Sequence, residues 1–483
     1  MANGIVAWGA YLPYWRLRRE AIGDALGIAT SRGERTVASY DEDTTSMAVE
    51  AARSVVLSQS SAPALVTLST SAPAYLDKND ATALHAALGL PTSAAAFDVG
   101  GSVRSAAGAM ALADAWSRRG EPALATMADI RTGLPGGGDE RDGGDGAAAF
   151  LFGTEAVAAE VLAWAHVSEE ILERWRVPGA ASSDRWEERF GEHAYGPMGE
   201  AVVADALKEA GLAADELDHV VVAGPHGRAT RRLASTIGAR HEALAPDLAR
   251  RIGNTGAAQV GISLCDVLDR AEPDETILVV SLSDGADALV LRATGDLAAA
   301  RERLWRTGAA TVAAQVETGR SDLPYNAFLT WRDVLHREPP RRPDPEPPAA
   351  PPSRRAGAWK FGFNGSRCHG CGTLHLPPAR VCSGCAAVDE MATERVADAT
   401  GTVATFTVDR LAFSLSPPVV AAVIDFDGGG RFSCELTDLD PAEVEIGLRV
   451  RMTFRKLHTA NGVHNYFWKA KPVRSAHPIG GED

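Results

Sequence analysis

The sequence predicts an α/β protein made of two copies of one unit, followed by a small cysteine-rich module and a β-barrel. Three observations carry that expectation. The order strand, loop, helix, glycine turn, helix, strand occurs twice before residue 335. Eight prolines then fall between Pro339 and Pro352, and beyond them two Cys-x-x-Cys pairs precede a series of short alternating segments. A chain of 483 residues exceeds one ordinary core, so we divide it at these signals. The halves are 1–165 and 166–335, the proline spacer is 336–356, the cysteine module 357–395 and the barrel 396–475.

In the first copy, residues 4–12 are apolar and glycine-bounded, as a buried strand requires. Asp41-Glu42-Asp43-Thr44-Thr45 then caps a helix from about Ser46 to Ser58, with Thr44 or Thr45 accepting from the free N–H groups. A short strand follows at 64–68, then a loop through Tyr75 and a helix ending near Gly89. The central stretch runs from Asp98 through Val99, Gly100, Gly101, Ser102, Val103 and Arg104 into a small-residue helix that ends near Arg119. Such a turn presents backbone N–H groups at a helix start, where they favour developing negative charge. A strand at 123–127 closes the unit.

The second copy repeats the order with a strand at 217–223, a loop Gly224-Pro225-His226-Gly227 and a helix holding Leu233 and Ile237. The turn Gly253-Asn254-Thr255-Gly256 opens a helix carrying Cys265, and a strand spans 276–281. The two glycine turns are expected to face one cleft. The proline run is expected to be an extended polyproline spacer, without helix or sheet. Segments 403–408, 419–426, 431–436 and 450–454 are the strands of the expected barrel.

Composition narrows the function. A hydrophobic share of 45% with 23% charged residues is that of a soluble globular protein. With no apolar run of about 18 residues we expect no membrane span, and the opening Met-Ala-Asn-Gly-Ile-Val-Ala-Trp-Gly lacks a secretory pattern, which points to the cytoplasm. A net charge of −15 repels nucleic acids and anionic membranes, so an anionic small ligand needs a local basic pocket. Cys368, Cys371, Cys382 and Cys385 have the spacing of a closed tetrahedral thiolate site, so structural zinc is expected. His369 is expected to face outward, and Cys265 and Cys434 to be buried, inert thiols.

Four stretches resemble the hydroxymethylglutaryl-CoA synthase family of the thiolase fold, in its archaeal and bacterial branch. They are Asp41 to Ala52, Gly144 to Leu151, Gly253 to Gly256 and Leu323 to Leu329, and the resemblance covers about residues 1–335. Residues 356–475 resemble the zinc-ribbon and OB-fold proteins that accompany thiolase-like enzymes acting on acyl-CoA. The resemblance implies a duplicated, five-layer thiolase-like fold carrying a zinc ribbon and an OB-fold barrel. It also implies an acyl-CoA or acyl-carrier substrate and a dimer, with itself or with a related chain.

The resemblance also marks departures. The family's cysteine nucleophile falls on Val103, or by a shift of register on Gly101 or Ser102, and its general-acid histidine falls on Ala223. Its glutamate falls on Ser71, and only Asn254 is kept. A valine cannot hold an acyl group, whereas aldol chemistry on a CoA thioester needs no acyl-enzyme. Thiolase-like steroid side-chain aldolases, which work with an OB-fold partner, resemble this chain in lacking the cysteine.

The expectation is therefore an acyl-CoA-handling protein with non-covalent carbon–carbon bond chemistry of the aldol or retro-aldol type. Candidate acids and bases are His226, Tyr75 and Tyr325, and candidate oxyanion donors are Asn254 and the N–H groups of Gly100 to Ser102. Arg228, Arg231 and Arg232 are candidates for CoA phosphates. A second basic cluster, Arg449, Arg451, Arg455 and Lys456, would meet either the nucleotide or the acidic first domain. Two alternatives stand beside this reading: a non-catalytic scaffold for an active thiolase-like partner, and an acyltransferase using Ser102.

Overall fold

In the computed structural model, which describes residues 2–341, 343 and 345–474, the first half contains β1 (Gly4–Tyr11), α1 (Thr44–Leu57), β2 (Leu65–Thr70) and α2 (Ala81–Leu88). It continues with β3 (Ala95–Gly100), α3 (Ser105–Ser117), β4 (Ala123–Ile130) and β5 (Asp145–Gly153). The second half has β6 (Ala159–Val167), α4 (Glu188–Ala210), β7 (His219–Ala223) and α5 (Gly227–Thr236). It closes with α6 (Ala258–Leu268), β8 (Thr276–Leu282), β9 (Ala286–Ala293) and α7 (Tyr325–Trp331). The second half thus starts at Ala159, ahead of the expected division after residue 165.

All nine strands join in the order β7-β8-β9-β6-β1-β5-β4-β2-β3. The duplication shows in the pairing. In one half β4 and β2 are parallel and β5 and β1 antiparallel; in the other β8 and β7 are parallel and β9 and β6 antiparallel. The halves meet where Gly4 and Ile5 of β1 pair with Glu160 and Ala159 of β6. Helix α1 packs on the central strands β1 and β5, and α4 on β6 and β9, while α3 and α6 touch each other. Their small residues permit this close packing: Ala106, Ala109, Ala113 and Ala258 are fully buried.

The cap of α1 differs from expectation. Asp43, not Thr44 or Thr45, caps it: its carboxylate accepts from Ser46 N–H at 2.9 Å while Ser46 Oγ accepts from Asp43 N–H at 2.8 Å. A carboxylate reaching the third N–H leaves both threonines free to be the first helical residues. The proline spacer also differs, because Ala350–Arg355 forms a short helix, α8, holding Pro351 and Pro352. Proline is compatible with a helix's first turn, whose N–H groups have no partner in any case.

Beyond α8, strands β10 (Asn364–Cys368), β11 (Leu374–His375) and β12 (Met391–Arg395) form the cysteine module. Strands β13 (Thr400–Asp409), β14 (Val419–Phe426), β15 (Arg431–Leu436), β16 (Arg449–Ala460) and β17 (Val463–Pro472) close the barrel. No described helix is long and apolar enough to cross a membrane.

The barrel docks on the start of α1 through buried charge. Arg455 on β16, wholly inaccessible, reaches Asp41 at 3.2 Å and Glu42 at 2.9 Å and also pairs with Asp438. Lys469 contacts Asp41 at 3.0 Å, Lys471 contacts Glu50 at 2.6 Å, and Tyr466 donates to Asp43 at 2.6 Å. Of the expected barrel cluster, Arg455 therefore meets the acidic first domain, as does the Lys456 N–H, which donates to Asp41 O at 2.9 Å. Arg449 pairs instead with Asp427 within the barrel.

Burial by itself would raise Asp41, but Lys469 and Arg455 outweigh it and hold its carboxyl at about 2. A folded value below the ordinary one near 4 gives stability that is complete above pH 4 and lost as pH falls towards 2. Asp398, held down in the same way by Arg53 and Arg395 against its burial, adds to that loss. Thermal unfolding followed by tryptophan fluorescence should therefore show a steep fall in midpoint between about pH 4 and pH 2. R455A, which strands three buried carboxylates, should cost about 3–5 kcal/mol in urea unfolding at pH 7.

Candidate active site

The two glycine turns lie side by side, and the end of β2 links them. Gly101 N–H donates to Thr70 O at 3.3 Å. One residue on, Ser71 donates from its backbone N–H at 3.2 Å and from its hydroxyl at 2.8 Å to the Asp129 carboxylate. That same carboxylate accepts from Ala257 N–H at 3.0 Å, in the second turn. Thr70 Oγ1 at 3.3 Å and Arg131 at 3.5 Å complete its shell. Asp129, inaccessible to solvent, is thus the pin between the turns. Gly256, at φ +58°, is required there, since any side chain would run into the Asp129 carboxylate.

Asn254 sits in the second turn. Its Nδ2 donates to Gly224 O at 2.7 Å and its Oδ1 accepts from Gly256 N–H at 3.0 Å. Backbone bonds from Asn254 N to Asp142 O and from Gly144 N to Asn254 O, both 2.8 Å, fix the turn against the approach to β5. A primary amide carries two N–H groups, and among the described residues only one of them is bonded. In the first turn Val103 is buried, and Ser102 Oγ accepts from Arg104 N–H at 3.2 Å. Ser105 Oγ lies 2.7 Å from Ser69 Oγ.

The other candidates are held elsewhere. His226 is buried, its Nδ1 accepting from Ala229 N–H at 3.1 Å as the cap of α5 and its Nε2 2.9 Å from Glu188 O. Tyr325 donates to both Glu140 oxygens at 3.1 Å. The Tyr75 oxygen accepts from His464 N–H at 2.7 Å, at the turn between β16 and β17, so this loop touches the barrel. Arg228 and Arg232 pair with Glu188 at 2.9 Å and Glu192 at 3.2 Å on the exposed face between α5 and α4; Arg231 lies between them in sequence. The structure therefore gathers Ser71, the Gly100–Ser102 turn and Asn254, but not His226, Tyr325 or the three arginines.

Several residues of this region carry no motif of their own. Arg104, directly after Val103, clamps Asp287 at 2.9 and 3.0 Å and donates to Asp284 O at 2.8 Å and Val167 O at 3.0 Å, tying α3 to β6 and β9. His166 Nδ1 lies 2.8 Å from the same Asp287. Arg131 and Arg176 both donate to Ser71, the first to its hydroxyl at 3.1 Å and the second to its carbonyl. An acidic residue ending an apolar strand, as Asp129 ends the run before Ile130, was the available signal.

In the cysteine module the Sγ atoms of Cys368, Cys371, Cys382 and Cys385 all lie within 4.8 Å of one another. Cys371 and Cys382 are 3.4 Å apart and Cys368 and Cys385 3.6 Å, close to the edge of a tetrahedron with ~2.3 Å arms. His369 is exposed and outside the set. Burial raises the Cys265 thiol well above its ordinary value and pushes Cys434 up to about 12, as expected of inert thiols.

Duplicated halves meeting at two glycine turns, with a closed five-stranded barrel appended, define a thiolase-like protein fused to an OB-fold domain. Comparisons with known proteins agree. Residues 207–292 match the family described as 3-oxoacyl-[acyl-carrier-protein] synthase III C terminal, and residues 394–455 the ChsH2 C-terminal OB-fold domain. The hydroxymethylglutaryl-CoA synthase of Pyrococcus furiosus is 31% identical over 295 residues, which are 59% of this chain and 83% of that protein. The enzyme of Methanocella arvoryzae is 30% identical, over 59% of this chain and 86% of the relative.

The chain belongs to the hydroxymethylglutaryl-CoA synthase family. Among solved structures, MvaS in complex with 3-hydroxy-3-methylglutaryl coenzyme A shares the fold at a TM-score of 0.57 and 18% identity, covering 72% of this chain and 95% of that one. FabH from Pseudomonas aeruginosa matches at 0.54 and 20% identity, over 61% and 99%.

Removing the pin should loosen both turns together. D129A leaves Ser71, Ala257 N–H and Arg131 without their acceptor, and we expect a loss of about 3–5 kcal/mol in chemical unfolding, against a smaller loss for D129N.

Proposed function

We propose that the protein makes or breaks a carbon–carbon bond on an acyl thioester without forming an acyl-enzyme. The observation that carries this reading is the pairing of a buried valine at the nucleophile seat with an intact second turn, in which Asn254 keeps one amide N–H uncommitted. The other cysteines support it: Cys265 is buried in α6, Cys434 lies in the barrel and four lie in the cysteine module. The relatives' names supply the substrate class, a CoA thioester.

In the cleavage direction, a base removes the proton of a 3-hydroxyl group and the C2–C3 bond breaks. A carbonyl compound leaves, and the electron pair passes to the thioester as an enolate, which is protonated at C2. Asn254 and the N–H groups of Gly100 and Ser102 are assigned to the enolate oxygen, the Gly101 N–H between them being held by Thr70 O. Tyr75, whose oxygen accepts from His464 N–H, is assigned to take the 3-hydroxyl proton as its own is delivered to C2, so that the proton count closes. His226 and Tyr325 act as positioning residues, through the cap of α5 and through Glu140. Arg131 and Arg176 supply positive charge beside Ser71 for the developing anion.

The loss of the cysteine, histidine and glutamate positions favours a second reading, a scaffold for a thiolase-like partner. The test is mass-spectrometric analysis of thioesters after incubation with a panel of 3-hydroxyacyl-CoA compounds. Cleavage to a shorter acyl-CoA, slowed about 10²-fold or more in N254A, is the expected result; thioesters all returned unchanged would leave the scaffold.

We also assign structural zinc to Cys368, Cys371, Cys382 and Cys385, and a dimer to the exposed edge strand β3. Phe97 on that strand and Leu112 on α3 are each 54% exposed, although both are large and apolar. Elemental analysis should find one zinc per chain, lost in C371S/C382S. Light scattering should find a dimer that F97D shifts to monomer.

A further inference from the structure

A cavity of about 460 Å3 opens between the end of β1, the helix Leu297–Arg306 and the last barrel strand, β17. Its volume lies in the ~300–1,000 Å3 range of small-ligand pockets, and no residue of the two glycine turns lines it. It exists only because the barrel is docked, since one wall comes from each domain.

The charges in its wall do not cancel. Glu50 is taken by Lys471 at 2.6 Å and Arg53 at 3.2 Å, and Asp398 by Arg53 at 3.1 Å and Arg395 at 2.7 Å. Asp438 is taken by Arg455. The fourth carboxylate, Asp269, accepts from Trp8 Nε1 and Val312 N–H, both at 2.9 Å, and burial pushes it up to about 6. Against these stand three guanidinium groups with no carboxylate partner among the described residues. Arg301 donates only to the carbonyls of Leu268 and Ala271. Arg474 donates to Asp438 O and lies 3.9 Å over the Tyr14 ring.

Arg451 is the informative one. Among the described residues its side chain makes no hydrogen bond or salt bridge, although it is half-buried and faces the cavity. Burial lowers its pKa, Glu50 works against that, and Arg53 and Arg474 crowd it further. A guanidinium that faces a cavity beside two others, with no carboxylate of its own among the described residues, suits an anion. Its planar fork suits phosphate oxygens. Trp305 and Tyr14 also line the cavity.

We propose that this interdomain cavity binds a phosphate-bearing anion of nucleotide size, gripped by Arg451 and Arg474. The phosphates have two possible sources, the nucleotide end of a CoA compound or a separate nucleotide. The cavity shares no lining residue with the glycine turns, so its occupancy can be tested apart from the reaction assigned to them.

The test is calorimetric titration of the full chain with inorganic pyrophosphate, ADP and coenzyme A. Pyrophosphate and ADP should bind saturably, with affinity weakened about 10-fold or more in R451A, partly restored in R451K and reduced by salt. Arg451 has no partner to strand among the described residues, so the unfolding midpoint of R451A should match that of the unaltered protein. Competition between ADP and coenzyme A assigns the site to the CoA nucleotide, and simultaneous binding assigns it to a separate nucleotide; either supports the site. Absence of pyrophosphate and ADP binding at millimolar concentration, or binding unchanged in R451A, overturns it.

Discussion

The docking of the barrel depends on one buried ionic knot, Arg455 among Asp41, Glu42 and Asp438. Charges in such a place are tolerated only when each has its partner, so the knot fixes where the barrel sits and punishes any displacement. The acidic stretch that opens α1 thereby serves two ends. Asp43 caps the helix, while Asp41 and Glu42 turn outward from it into the barrel. The proline spacer needs no special geometry, because the buried charges and not the linker decide the arrangement. From this follow the cavity between the domains and the touch of Tyr75 on the turn of β16 and β17.

A second constraint operates at the cleft. Asp129 and Arg104 hold the two turns and the ends of both halves together, and Val103 is buried beside them. Framework and chemistry are separable here. The framework rests on backbone N–H groups, small residues and buried carboxylates, whereas covalent chemistry rests on one side chain. On the reading proposed above, a framework kept without its nucleophile would stabilise negative charge without storing an acyl group.

The fold was legible where short-range pattern decides it. Apolar runs such as 276–281 and 419–426 became strands because period and burial agree, and the duplicated order of elements revealed the paired halves. The four cysteines announced their cluster by spacing alone. Long-range polar contacts were not legible: nothing local to Asp129 says that it reaches Ala257, and nothing near Arg104 names Asp287, 183 residues away. The 23-residue helix α4 was missed because its apolar face is interrupted by glycine and by Pro197. His226 was chosen from its place in the loop, yet its partners are a helix start and Glu188 O. Similarly, α8 arose from prolines in a first turn, where their usual objection to helix does not apply.

The most direct measurement is the intact mass of the protein, quenched with acid during turnover of a thioester substrate. A mass unchanged from the resting protein, while products accumulate, is what non-covalent chemistry requires. An added acyl group, on Ser102 or any other residue of the cleft, would contradict it.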